Sequence, residues 1–193
     1  MSPGMSTGSG SGLPRFLEGS RYYSQWAGVP YHIYSPFESA DDYSDDIKSR
    51  PLVANYVARG SVYLPGDSGL CVPLELSLGV HSDAGWRPDH THIGTLGIYT
   101  TDWNNGVTGT GLSRLTSRDL VDMIMSHIKK DMDINFGQWT RRQMYDKNYG
   151  ESREPLIPGI ILETLSHQNF WDLYRGHDPY FKFVMARAIC KGI

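Results

Sequence analysis

Apolar and polar positions along this chain follow two different periods. From Val72 to His81 the period is two. Val72, Leu74, Leu76, Leu78 and Val80 face one way, and Glu75, Ser77, Gly79 and His81 the other, which predicts a strand. From Leu120 the period is helical: Leu120, Ile124, Ile128 and Met132 recur every four residues, with Val121 beside them. Thr116 with Asp119 resembles a capping box ahead of that stripe, with Asp where Glu or Gln is preferred. Order is expected from Leu13. Phe16, Leu17, Ser20, Tyr23 and Ala27 then fall at helical spacing after Pro14, and "AGVP" ends that helix. "YHIY" (31–34) reads as a short strand, "SPFESADDYSDD" as an acidic loop, and Arg50 to Arg59 as a helix stopped by Gly60. Gly94 to Thr101 reads as a strand, "PGIILETL" as a fully buried strand, and a last helix starts just after Asp178. The order helix, strand, helix, strand, strand, helix, strand, helix predicts an α/β fold. Its sheet is mostly parallel (mixed) and flanked by helices.

Composition narrows the class. At 193 residues the chain is long enough for one domain with a substantial core. The opening "MSPGMSTGSGSG" reads as a flexible linker or cut loop over 1–12, leaving 13–193 as the domain. A net charge of −3 offers no broad basic field, so no nucleic-acid partner is expected. No run of about 18 apolar residues exists, so no membrane span is expected, and no signal peptide is visible. Cys71 and Cys190 fit no metal spacing, and two buried thiols are favoured over one bridge. No internal repeat is found.

Candidate chemistry sits where strands end, since ligands of α/β sheets gather beyond the carboxyl ends. His81 closes one strand on its less apolar face. Glu163 follows "IIL", a poor place for a solvated charge, so it is paired or catalytic. A histidine and a carboxylate on neighbouring strands can share a zinc ion, whose catalytic sites use three protein ligands and a water. Plainer readings stand beside this one. A lone strand-end histidine is more often structural, and Glu163 can simply pair with Arg141 or Arg142. "HTH", with His90 and His92, reads as a surface loop, and His32, His167 and His177 carry no spacing argument. Trp86, Trp103 and Trp139 can stack on sugar rings or simply be half-buried.

Several longer motifs carry a resemblance. "GLPRFLEGSRYYSQWAGVP", "LSLGVHSDAG", "IGTLGIYTT", "LSRLTSRDLVDMI", "WTRRQMYDKNYGESREP" and "GIILETLSHQNFWDLYRGHDPYFKFVMARAICKGI" resemble a Bacteroidetes family of large secreted proteins. Its members are often labelled xanthan lyase and carry a golvesin-like module inserted in an amidase-type domain. "GVHSDAG" and "IILETLSHQN" also resemble two strands of zinc-dependent N-acetylmuramoyl-L-alanine amidases. The resemblance implies an amidase-like fold, hydrolysis of the muramoyl-L-alanine amide of peptidoglycan, His81 as a zinc ligand and Glu163 as general acid/base. It also implies action outside the cytoplasm. The early histidine of the amidase pattern and the glutamate soon after it are absent in recognisable form; Glu18 lies too close to "WAGVP". Both ligands are therefore expected upstream, the chain being the carboxyl-terminal part of a split domain with an incomplete zinc site and little activity alone. Chemistry, rather than motif, assigns Arg142 to a substrate carboxylate and Asp83 to the cleft or to orienting His81. Peptidoglycan or another glycan is the expected partner, with self-association or the upstream half of the same protein covering the open sheet. The competing readings are a non-catalytic glycan- or partner-binding module and a polysaccharide lyase.

Overall fold

The computed structural model describes residues 18–66, 68–89 and 91–193. The expected linker over 1–12, the start of order at Leu13 and His90 lie outside the described residues. The chain forms two compact units. One comprises the residues up to Ser77 with Thr108–Thr110 and Glu154–Ile157; the other comprises Leu78–Val107, Gly111–Arg153 and Pro158–Ile193.

The first unit is helical: α1 (Ser20–Trp26), α2 (Tyr31–Tyr34) and α3 (Asp42–Ala58). The segment expected to be a strand, Tyr31–Tyr34, is a single helical turn in which Ile33 N–H bonds the Pro30 carbonyl at 2.9 Å. Four residues are too few for periodicity to separate the two states. The segment expected as an acidic loop is, from Asp42, the first turns of α3. Asp41 caps the helix by accepting from Tyr43 N–H and Ser44 N–H, and Asp42 and Asp45 favour its positive amino end. Asp45 is fully buried and accepts from Phe37 N–H, Ser39 N–H and the Ser35 hydroxyl. Arg21 of α1, also buried, reaches Asp42 at 2.7 Å and Asp45 at 3.4 Å, so charge rather than hydrocarbon joins these helices. A small apolar cluster of Ala58, Leu64 and Ile157, with Leu74 and Leu156 against it, completes the unit.

The second unit is a helix-flanked sheet. Its strands are β1 (Ser77–Asp83), β2 (Leu96–Tyr99), β3 (Tyr145–Asp146) and β4 (Gly159–Ser166), in the order β1-β4-β2-β3. β2 runs parallel to β3 and antiparallel to β4, with Leu96 opposite Glu163 and Ile98 opposite Ile161. The sheet is thus mixed and the class α/β, as expected. The helix α4 (Leu115–Phe136) lays its predicted stripe on the sheet, with Leu120, Val121, Ile124, Ile128 and Met132 all buried. The capping box does not form: Arg114 precedes the helix without a side-chain cap, and Thr116 Oγ1 donates to the Ser113 carbonyl instead. Two short helices that no sequence period announced follow, α5 (Gly150–Arg153) and α6 (Phe170–His177). α7 (Pro179–Gly192) packs along α4 and is capped by Asp178, as its sequence predicts.

β1 departs most from its pattern. Only Ser77–Asp83 is strand, and Val80, on the apolar side, is 58% exposed on this edge strand. Both cysteines are exposed and free, which corrects the expectation of buried thiols; Cys71 sits in a left-handed turn at φ 59°. Among the described residues no helix is long and apolar enough to cross a membrane.

Gly97 of β2 shows how closely α4 approaches. A β-carbon there would sit 2.6 Å from Met125 Sδ and well inside contact distance of Val121 Cγ2. Gly97→Ala is therefore expected to lower the unfolding free energy by about 1–3 kcal/mol, read from the urea midpoint. An unchanged midpoint would mean that α4 is not seated this tightly.

Candidate functional site

The chemically capable residues meet on one face of the β1–β4 half of the sheet. Strand alternation puts Gly79, His81 and Asp83 on one side of β1. The two strands advance together: Thr164 Oγ1 donates to the His81 carbonyl, and His167 N–H donates to the Asp83 carbonyl. Glu163, next to Thr164, therefore lies beside His81, the two residues singled out from the sequence.

Glu163 is half-buried, and its Oε2 is buried with no hydrogen-bond partner among the described residues. Burial is the largest influence on its carboxyl and pushes the pKa above the ordinary value of 4.5. His81 opposes that shift, Asp83 adds to it and Arg142 opposes it. The other three assigned residues, His81, Asp83 and Arg142, thus all act on the Glu163 carboxyl. The plain alternative for Glu163 is not realised, because Arg142 pairs with Asp83 and Arg141 with Asp122. The Asp83–Arg142 pair also means that each side chain already holds a partner where a substrate carboxylate was expected to bind.

His81 has a partner that sequence patterning does not predict. Its Nε2 lies 2.9 Å from Oε2 of Glu151 on α5. Gly79 permits this approach, since a β-carbon there would stand 2.5 Å from that same oxygen. The only sequence signal for Glu151 is an acid in "YGESRE", a stretch without clear period. His167 bonds Ser82 through Nδ1 at 3.1 Å, and its Nε2 is buried without a hydrogen-bond partner among the described residues. His32 and His177 are exposed.

A second residue missed by sequence patterning is Asp172 of α6, fully buried. Its carboxylate accepts from Ile93 N–H at 3.2 Å, Gly94 N–H at 2.9 Å, Ser166 N–H at 3.0 Å and His92 Nδ1 at 2.9 Å. Asn169 caps α6 by accepting from Asp172 N–H and donates to the Thr91 carbonyl. "NFWD" is an N-cap asparagine with an acid three residues on, a legible helix-start signal. His92, expected on a surface loop, is instead held by this buried acid. Trp139 is 2% exposed with Nε1 donating to Thr95 Oγ1, so it is core and not a sugar platform.

The geometry tests whether zinc fits. His81 Nε2 and the Glu151 carboxylate are two donors already facing each other. Among the described residues no group of three or more His, Cys, Asp or Glu is placed to hold a metal. A catalytic zinc takes three protein ligands, so these residues do not by themselves fit the ion.

The fold is of the amidase type. The chain is similar to the CwlD amidase from Clostridioides difficile, solved in complex with the GerS lipoprotein. The TM-score is 0.56 at 15% identity, over 78% of this chain and 61% of that one. It is likewise similar to an N-acetylmuramoyl-L-alanine amidase from Clostridium difficile 630, with TM-score 0.55 at 15% identity over 83% and 75%. The chain therefore spans less than two thirds of the CwlD amidase. No protein-family model and no curated protein matches the chain.

Burying Glu163 raises its folded pKa, so the folded state binds its proton more tightly than the unfolded one. Its penalty is fully present above the folded pKa and vanishes as pH falls below the ordinary value. Glu163→Gln is accordingly expected to melt higher than the wild type at pH 8, the gap closing by pH 4. A gap that stays constant with pH would show that Glu163 carries no such penalty.

Proposed function

We propose that this chain is an amide hydrolase domain of the N-acetylmuramoyl-L-alanine amidase kind, acting on peptidoglycan outside the cytoplasm. The observation that carries the reading is the Glu163 carboxyl, with one buried oxygen lacking a hydrogen-bond partner among the described residues and its pKa raised by burial, set beside His81 on adjoining strands of an amidase-type sheet. An acid of raised pKa with one oxygen free of hydrogen bonds can take a proton from an attacking water and return it to a leaving amine. Asp83 and Arg142, held together, set the charge beside it. Arg142 meets a peptide carboxylate only by sharing or leaving Asp83. The lineage suggested by the longer sequence motifs belongs to this proposal as well.

Because the donor set falls short, no step is assigned to zinc here. The reading has the remaining ligands coming from polypeptide outside this chain, which makes the chain alone a weak metal binder and a weak catalyst. Calorimetric titration with zinc is expected to show no tight stoichiometric site. Tight, one-to-one binding lost in His81→Ala would mean the site is complete and this part of the reading wrong.

Activity supplies the direct test. Peptidoglycan incubated with a high concentration of the chain and zinc is expected to release slow but measurable new L-alanine amino termini. Glu163→Ala should reduce that release on the order of 100-fold or more. Release that Glu163→Ala leaves untouched would sink the assignment.

A further inference from the structure

The loops that Asp172 holds in place border an open cavity of about 570 Å³ in the sheet-bearing unit. Its wall includes Arg87, Thr91, His92, Gln138, Thr140 and Trp171. This volume lies within the range of small-molecule clefts, about 300–1,000 Å³. The cavity lies beyond the carboxyl ends of β1 and β4, where sheets of this class bind ligands. It requires neither the Glu163 carboxyl nor a metal, so an inference drawn from it goes beyond the hydrolase reading.

The one aromatic residue among those that line the cavity, Trp171, belongs to an exposed ring cluster on α6. Phe170, Trp171 and Tyr174 of α6 are 61%, 48% and 61% exposed. Trp171 meets Phe170 edge-on at 5.2 Å and Tyr174 edge-on at 6.2 Å, so its ring is braced on two sides. Three large rings left in water at one place mark a contact surface rather than a stray apolar residue. The polar side is fixed too. Arg87 donates to Thr91 Oγ1 at 3.2 Å, and Asp89 accepts from both Thr91 N–H and Thr91 Oγ1. His92 is pinned through Nδ1 by Asp172, which leaves its Nε2 as the ring's second bonding atom. Groups that need no rearrangement lose little on binding.

The chemistry selects the ligand. A braced aromatic plate asks for a flat apolar face, and an amide with two hydroxyls asks for a rim of hydroxyl groups. Arg87 and Asp89 cancel each other, which disfavours phosphates and polyanions. A pyranose ring has both features, with C–H bonds on its faces and hydroxyls around its edge. We propose that this cavity is a carbohydrate subsite, with Trp171 stacking on a pyranose and Gln138, Thr140 and Arg87 taking its hydroxyls.

Two sources of pyranose share this chemistry, N-acetylated amino-sugar chains and plain glucans. The experiment is a calorimetric and NMR titration of the chain with the tetramer of N-acetylglucosamine and, separately, the tetramer of glucose. At least one is expected to bind with a Kd on the order of 1 mM or tighter. Trp171→Ala should weaken it ten-fold or more while Trp171→Tyr retains it, with unchanged melting temperatures showing that both variants are folded. Preference for the amino-sugar tetramer would point to a cell-wall type of glycan; equal or stronger glucose binding would point to a general glucan site. Failure of both tetramers to bind would overturn the proposal, as would Trp171→Ala binding as tightly as the wild type. Glu163→Gln is expected to bind sugar normally. Sugar binding without amide cleavage would remove the hydrolase reading alone, and amide cleavage without sugar binding would remove this inference alone.

Discussion

One carboxylate with no exposure to water ties together the end of the molecule where ligands would bind. Asp172 receives hydrogens from the chain entering β2, from the residue closing β4 and from the His92 ring. A carboxyl group buried this deeply is tolerable only when its oxygens are saturated, and four donors do that. Remove the acid and three buried backbone N–H groups lose their partner together, each at a cost of about 1–3 kcal/mol. The position of α6, the loop before β2 and therefore the braced Trp171 all follow from this arrangement.

Glu163 has the opposite character. It sits two strands from the sheet's far edge, and one of its oxygens has no hydrogen-bond partner among the described residues. The contrast is between a buried acid whose oxygens are saturated and one that has an oxygen without a partner among the described residues. The first has its oxygens filled by hydrogen bonds. The second favours its proton because burial penalises the charge. His81 and the Asp83–Arg142 pair then tune that proton from one side of the sheet, and Glu151 turns the His81 ring.

The long periodic signals are legible in the amino-acid order alone. The α4 stripe is buried residue for residue, the "GIILETLS" strand lies inside the sheet and α7 begins behind its Asp178 cap. In each case local propensity and burial ask for the same thing. The short signals fail where tertiary contacts set the state. Tyr31–Tyr34 is helical beside α3, and the acids of "DDYSDD" are the capped start of a helix bound by Arg21. Val80, on the apolar side of β1, is exposed: alternation says that two faces differ, not how far a neighbour covers either.

The same division holds for the site. By itself the sequence determined that His81 falls on the less apolar face of its strand, since side-chain direction in a strand follows from counting by two, and that Glu163 follows an apolar run where a solvated charge fits poorly. Only the tertiary structure decided that they lie side by side, that Arg142 reaches Asp83 rather than Glu163, and that Glu151 and Asp172 take part at all. These partners are 59 to 80 residues apart in sequence. No local period encodes such distances, because strand order and the seating of α5 and α6 are settled by packing over the whole sheet.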